Sequence, residues 1–219
     1  MTEGYDSAYR KVETTGTSCN KIETTIILPN LADLNVGNGG VLYNYLGCSR
    51  AGVFDFEFGF GYKPSETGSD EKYGIYRSGT GMVWSWLKQG SSFYLFDPGT
   101  YRILLTIPQN NTIRIQVYYG ATGSSLAYSN DFPISGARAD GAGQKVRRNT
   151  SLMVLSGHSG SALNSRWTTT TIRQGGIDYN ATPSNCTAGR YSEPSGNLNW
   201  VTLNSHNQFY NETISLQIR

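Results

Sequence analysis

Hydrophobic and polar residues alternate one by one in several short stretches of this chain. The clearest is residues 53–60, in which phenylalanine occupies every second position. Successive side chains of a β-strand point to opposite faces, so this pattern predicts a strand with its phenylalanines in a core. The opposite face carries Asp55 and Glu57, and we expect it to meet solvent or line a groove.

The same alternation predicts an antiparallel hairpin, in which residues 101–107 and 112–119 flank a turn at 108–111. Weaker strand patterns occur at residues 21–28, 41–46, 73–76, 82–87, 92–96, 125–132, 145–155, 166–172, 198–203 and 212–218. No long segment carries the apolar stripe of an amphipathic helix. Residues 1–20 are polar and without periodicity, which predicts a loose N-terminal lead-in.

Composition agrees with a fold made of strands and turns. Charged residues make up 16% of the 219 residues, whereas glycine (26) and tyrosine (15) are abundant. Residues that favour strands and turns thus replace the usual helix formers. The prediction is one all-β domain spanning residues 1–219, an antiparallel β-sandwich of the jelly-roll or concanavalin A-like kind.

The charge balance bears on partners and location. The net charge is +2, from 18 basic and 16 acidic residues, which is no footprint for a nucleic-acid partner. The densest basic stretch, Lys145, Arg147 and Arg148, is interpreted as a solvated edge strand. No apolar run approaches the ~20 residues of a membrane-spanning helix. The polar, tyrosine- and glycine-rich composition favours a secreted or cell-surface protein.

Asp55 and Glu57 are the first candidates for chemistry, because they lie two residues apart on one strand face. Glycosidases use paired carboxylates, and several jelly-roll glycanases carry them as an E-x-D-x-E-like run. Here Val53 stands where the first glutamate of such a run would lie, so we assign no catalytic residue. Contact with a glycan is one alternative, and pairing with Arg102 or Arg114 on neighbouring strands is another.

Aromatic side chains are the second candidates. Trp84, Trp86 and Tyr118 have flat faces of the kind that stack on sugar rings, although core packing is the commoner role of such residues. Together with Asp55 and Glu57 they form the predicted ligand-binding set. The expected partner is a polysaccharide or another glycan.

Other motifs give weaker signals. Asp33, Asn35 and Asn38 offer oxygen atoms in a glycine-rich loop, but no glutamate closes a calcium loop twelve positions along. Cys19, Cys48 and Cys186 lack metal-ligand spacing. We therefore predict no metal site and no cofactor, with calcium as the alternative. The segment at 157–161 (GHSGS) resembles a serine-protease loop but has no histidine upstream of it, so we predict a turn.

A resemblance to a known family rests on residues 28–31 (LPNL), 43–45 (YNY), 51–55 (AGVFD) and 58–60 (FGF), continued by the hairpin at 99–119 and by residues 149–167. In these the chain resembles secreted Bacillus proteins of the YrpD type over most of residues 22–175. The resemblance implies an exported bacterial protein with a concanavalin A-like, lectin-like sandwich of unassigned function. It carries over no catalytic residue.

These observations favour a secreted, lectin-like sandwich that binds a carbohydrate or cell-wall polymer. Two alternatives stay open: a glycan-cleaving enzyme that uses Asp55 and Glu57, and a surface or structural protein without a small ligand. Because the catalytic set is incomplete, the sequence favours a binding role over an enzyme. It does not indicate an oligomeric state.

Overall fold

The computed structural model describes residues 4–37, 39–68, 72–204 and 209–219. Antiparallel strands account for most of them, with one short helix, α1 (Pro64–Thr67), and 3-10 turns at Leu31–Asp33 and Leu198–Trp200. The strands are β1 (Tyr5–Thr14), β2 (Cys19–Ile27), β3 (Leu34–Asn35), β4 (Val41–Arg50), β5 (Phe54–Tyr62), β6 (Tyr73–Gly79), β7 (Met82–Trp86), β8 (Lys88–Gln89), β9 (Ser92–Phe93), β10 (Leu95–Phe96), β11 (Thr100–Gln109), β12 (Thr112–Tyr119), β13 (Leu126–Pro133), β14 (Gln144–Leu155), β15 (Gly160–Gln174), β16 (Ile177–Asn180), β17 (Cys186–Glu193), β18 (Val201–Leu203) and β19 (Glu212–Ile218).

Among the described residues the strands form two large sheets. Sheet 1 has the order β10-β6-β5-β4-β14-β1-β17, with β7 added beside β6. Sheet 2 has the order β13-β12-β11-β2-β15-β19-β18, with β16 and β3 paired to β15. Neighbouring strands pair antiparallel throughout, so the predicted antiparallel β-sandwich is confirmed.

The hydrophobic core lies between the two sheets and follows the alternation in the sequence. The four phenylalanines at every second position of 54–60 are buried, and Phe58 stacks on Tyr128 of the opposite sheet at 5.5 Å between ring centroids. The 101–119 hairpin contributes Ile103 and Ile115, which are fully buried. Each such side chain stabilises the fold by about 1.5–3 kcal/mol through the apolar surface it removes from water.

The predicted N-terminal lead-in is wrong. Residues Tyr5–Thr14 form β1, which lies between β14 and β17 in sheet 1. Ala8 and Val12 point into the core, but Arg10 occupies the inward position between them. A buried arginine interrupts the hydrophobic alternation, which is why the pattern conceals this strand.

The basic stretch at 145–148 is not a solvated edge strand either. It belongs to β14, which pairs with β1 on one side and with β4 on the other. Arg147 and Arg148 are both buried, on opposite faces of the sheet. They are held there by carboxylates from distant parts of the chain, which sequence proximity does not reveal.

The C-terminal quarter of the chain completes both sheets. Strand β17 forms the edge of sheet 1 beside β1, and β19 lies within sheet 2 between β15 and β18. Within the described residues, no helix is long and apolar enough to cross a membrane.

Candidate functional site

The face of sheet 1 that points away from the core carries a groove with two adjoining parts. The polar half has a volume of about 440 Å³, and its lining includes Asp55, Arg147 and Asn149. The aromatic half has a volume of about 310 Å³ and is lined by Tyr43, Tyr76 and Trp84, with Glu57 at its rim. Tyr45, Ser151 and Met153 line both parts, so the two are continuous. Such volumes lie at the lower end of the range of ligand pockets, ~300–1,000 Å³.

Arg147 joins the two predicted carboxylates across the sheet. Its Nη2 donates hydrogen bonds to Oδ1 of Asp55 at 2.5 Å and to Oε1 of Glu57 at 2.9 Å. Gly47 lies between Arg147 and Glu57 in the register of β14, β4 and β5. A Cβ atom on Gly47 would approach the guanidinium carbon to 2.8 Å, so glycine leaves the space in which the arginine lies.

Asp55 and Glu57 stabilise the positive charge of Arg147. Burial alone would lower its pKa, but the negative charges of Asp55 and Glu57 overcome that effect and raise the pKa above its usual value. The side chain of Asp55 is 57% exposed, whereas that of Glu57 is 28% exposed. Glu57 is therefore the more enclosed of the two carboxylates, and it lines the aromatic half, whereas Asp55 lines the polar half.

Tyr45 and Asn149 extend this network along the groove floor. Asn149 Nδ2 donates a hydrogen bond to Oη of Tyr45 at 2.5 Å. Burial raises the pKa of Tyr45, and the negative charge of Glu57 raises it further, so the phenol stays protonated and can hydrogen-bond to the Glu57 side chain. Oδ1 of Asn149 is buried and has no hydrogen-bond partner among the described residues. Buried polar atoms without a partner are uncommon in proteins, so this oxygen can accept a hydrogen bond from a ligand.

The predicted ligand-binding set is only partly brought together. Asp55, Glu57 and Trp84 line the groove, and Trp86 packs behind Trp84 with ring centroids 5.1 Å apart. Both tryptophans are half-buried on the outer face of sheet 1, outside the core. Tyr118 lies on β12 of sheet 2, under the guanidinium of Arg102, and so is remote from the groove.

The alternative in which Asp55 and Glu57 pair with Arg102 or Arg114 is wrong. Arg102 pairs with Glu23 and Arg114 with Asp131. Strands β11 and β12, which carry these arginines, belong to sheet 2, whereas β5 belongs to sheet 1. The alternation along each strand was correct, but assigning strands to sheets needs the long-range pairing.

Sequence reasoning missed Tyr45, Arg147 and Asn149. A signal was present in β14, where outward residues such as Arg147 and Asn149 alternate with inward ones such as Val146 and Leu152. Read at period two, that strand would have indicated one polar face. The register that sets Asn149 opposite Tyr45 depends on strands about a hundred residues apart in the chain.

The candidate calcium ligands Asp33 and Asn35 lie at β3. Asp33 directly precedes β3, Asn35 is the last residue of that strand, and Asn38 lies outside the described residues. Among the residues that are described, no three His, Cys, Asp or Glu side chains are grouped to hold a metal ion. Calcium therefore stays an untested alternative to the prediction of no metal site. The three cysteines are buried and form no disulfide.

Comparison with known proteins gives a consistent fold relationship. No family model and no curated protein sequence matches the chain. Two crystal structures of scytalido-glutamic peptidase, each with a transition-state analog, superpose with TM-scores of 0.61 and 0.62 at 8% and 9% identity. They cover 99% and 98% of both chains. SCP-B, an eqolisin-family peptidase in complex with the tripeptide Ala-Ile-His, gives 0.60 at 8% identity over 98% of both chains.

These likenesses establish the β-sandwich fold over essentially the whole chain. They also correct the main functional hypothesis. The prediction of a lectin-like, carbohydrate-binding sandwich is wrong, because these three structures, which match over essentially the full chain, are peptidases, one of them with a bound tripeptide. The resemblance to YrpD-type proteins and the secreted location are not tested by these matches and stay predictions.

Proposed function

We propose that this chain hydrolyses peptide bonds in the groove over sheet 1. The observation that carries the proposal is the network in which Arg147 binds Asp55 and Glu57 while Tyr45 links Glu57 to Asn149. It combines an enclosed carboxylate with a protonated phenol and a fixed guanidinium. The fold of the neighbouring peptidases supports this reading, since such a sandwich can accommodate peptide ligands.

Glu57 is assigned as the general base. Its carboxylate takes a proton from a bound water, and the water oxygen attacks the carbonyl carbon of the peptide to give a tetrahedral intermediate. Glu57 then returns the proton to the amide nitrogen, the C–N bond breaks, and an acid and an amine leave. Glu57 fits this role better than Asp55 because it is less exposed and also hydrogen-bonds to Tyr45.

Tyr45 and Arg147 supply the electrostatic part of the reaction. Once Glu57 has taken the proton of the water, the phenol of Tyr45 no longer has to donate to it, and it can donate together with the guanidinium of Arg147 to the oxyanion that forms on the carbonyl oxygen. Donors held in an enclosed site stabilise such charge strongly. Asn149 holds the phenol through the 2.5 Å hydrogen bond. The glycan-cleaving alternative also used Asp55 and Glu57; we keep the hydrolytic chemistry and replace the glycan by a peptide.

The test is cleavage of denatured protein and of a mixed peptide library by the purified chain from about pH 3 to about pH 8, with products identified by mass spectrometry. We expect Glu57→Gln to lower kcat/KM by about 10²–10⁴-fold, the usual contribution of a general acid–base group. Glu23→Gln is the matched control, because Glu23 also pairs with an arginine but lies in sheet 2. No cleavage by the natural chain, or equal effects of both substitutions, would contradict the proposal.

A further inference from the structure

Tyr43, Tyr76 and Trp84 of the aromatic half have no role in the hydrolytic step described above. Its walls are Tyr43, Tyr76, Trp84 and Met153, and the charged group at its rim is Glu57. That carboxylate already contacts Arg147. The cavity therefore offers mainly ring faces and a thioether, which favour an apolar occupant over a charged one.

The aromatic wall is built into the sheet. Tyr76 points away from the core yet is only 2% exposed, because Trp84 stacks on it at 5.8 Å with an interplanar angle of 29°. Tyr43 packs against the same ring at 4.7 Å. Side chains with two torsions that pack on one another lose little further freedom when a ligand binds.

Trp86 buttresses this wall from behind. Its ring lies over Gly61 and Gly74, where added Cβ atoms would approach it to 2.5 Å and 3.0 Å. Its Nε1 donates to Oε2 of Glu66 at 2.7 Å, and that carboxylate also pairs with Lys63. The two glycines and the carboxylate together fix the position from which Trp86 supports Trp84, so the cavity is formed before a ligand arrives.

We propose that the aromatic half is a specificity pocket for a large aromatic or aliphatic side chain of the substrate peptide. The inference rests on the proposed function, because the position of Glu57 at the rim sets the pocket beside the bond to be cleaved. Continuity with the polar half through Tyr45, Ser151 and Met153 gives a peptide backbone one path through both parts. A substrate lacking a large apolar residue next to the scissile bond leaves the pocket empty.

Cleavage is the first test. Two capped pentapeptides, one all alanine and one with a central phenylalanine, are compared, and we expect the phenylalanine peptide to be preferred by at least about tenfold in kcat/KM. Trp84→Ala should remove most of that preference, because it removes a wall of the pocket. Val83→Ala is the matched control, because Val83 directly precedes Trp84 on the same strand and is 83% exposed.

Binding without cleavage is the second test and separates the two proposals. N-acetylphenylalanine amide should shift the indole Nε1–H resonance of Trp84 in the ¹⁵N-labelled natural chain, and N-acetylalanine amide should not. A selective shift without any peptidase activity would support the pocket and contradict the proposed function. Cleavage with neither preference nor shift, or a preference for lysine or arginine, would overturn the pocket and leave hydrolysis standing.

Discussion

Arg147 and Arg148 are consecutive residues of β14, yet they belong to two ionic clusters of opposite character. The outer cluster, Asp55, Glu57 and Arg147, faces the groove. The inner cluster, Arg10, Arg148 and Glu212, lies between the sheets, where Glu212 contacts Arg10 at 3.1 Å and Arg148 at 2.6 Å. Side chains of the inner cluster are at most 2% exposed.

The pKa values of the two arginines move in opposite directions. Burial lowers the pKa of Arg148 even though Glu212 acts to raise it. For Arg147, two carboxylates outweigh burial and raise the pKa. Both side chains are buried, so the difference lies in the ratio of carboxylates to guanidiniums. In the outer cluster two carboxylates pair with one guanidinium, so one carboxylate is available for chemistry. In the inner cluster the carboxylate of Glu212 pairs with two guanidiniums.

The inner cluster should therefore matter for stability. We expect Glu212→Gln to lower the free energy of unfolding by about 3–5 kcal/mol, because it leaves buried guanidiniums without the carboxylate that both contact. Urea unfolding followed by tryptophan fluorescence measures the change. Glu23→Gln breaks a partly exposed pair and should cost less than about 1 kcal/mol. Equal losses for the two variants would contradict the distinction between the clusters.

The outer cluster should matter for activity more than for stability. Arg147→Met keeps the apolar stem over Gly47 but removes the donor that positions Glu57, and we expect kcat/KM for peptide cleavage to fall about tenfold or more. The loss of stability should be smaller than that of Glu212→Gln, because the two carboxylates left behind keep contact with solvent, Asp55 being 57% and Glu57 28% exposed. Arg114→Met is the control, since Arg114 also binds a carboxylate, that of Asp131, but on sheet 2.

The strands that could be predicted from the sequence are those with an uninterrupted alternation. In β5 and in the hairpin of β11 and β12, every inward residue is apolar, so the pattern alone identifies strand and core face. In β1 the inward Arg10 conceals the strand, because the carboxylate that permits its burial, Glu212, is 202 residues away. The local sequence pattern does not show that a distant carboxylate compensates the buried positive charge.

The candidate site was predictable to a similar extent and for the same reason. Asp55 and Glu57 were identified correctly as neighbours on an outward face, since one strand carries both. Arg147 and Tyr45 were missed because they join the site through the pairing of β14, β4 and β5. Tyr118 was included wrongly, because an aromatic residue in an alternating strand does not reveal which sheet contains that strand.

The three buried thiols should be unreactive at neutral pH. Burial raises the pKa of Cys48 to about 12 and that of Cys186 to about 11, and it also raises the pKa of Cys19. We expect none of them to react with a disulfide reagent near pH 7 until the chain is unfolded, because the thiolate is the reactive form. Rapid labelling of the native chain would contradict the burial of these side chains.

The same pKa shifts predict that the fold loses stability as the solution becomes alkaline. The unfolded chain releases a thiol proton near the ordinary value of 9.0, whereas the folded chain retains the proton of Cys48 up to about pH 12. The folded state thus binds more protons in this interval, and its stability falls as the pH rises through it. Cys48→Ala should flatten that decline in urea unfolding between about pH 9 and pH 11, at the expense of a small cavity. An unchanged slope would mean that the decline comes from the buried tyrosines, whose pKa values are raised as well.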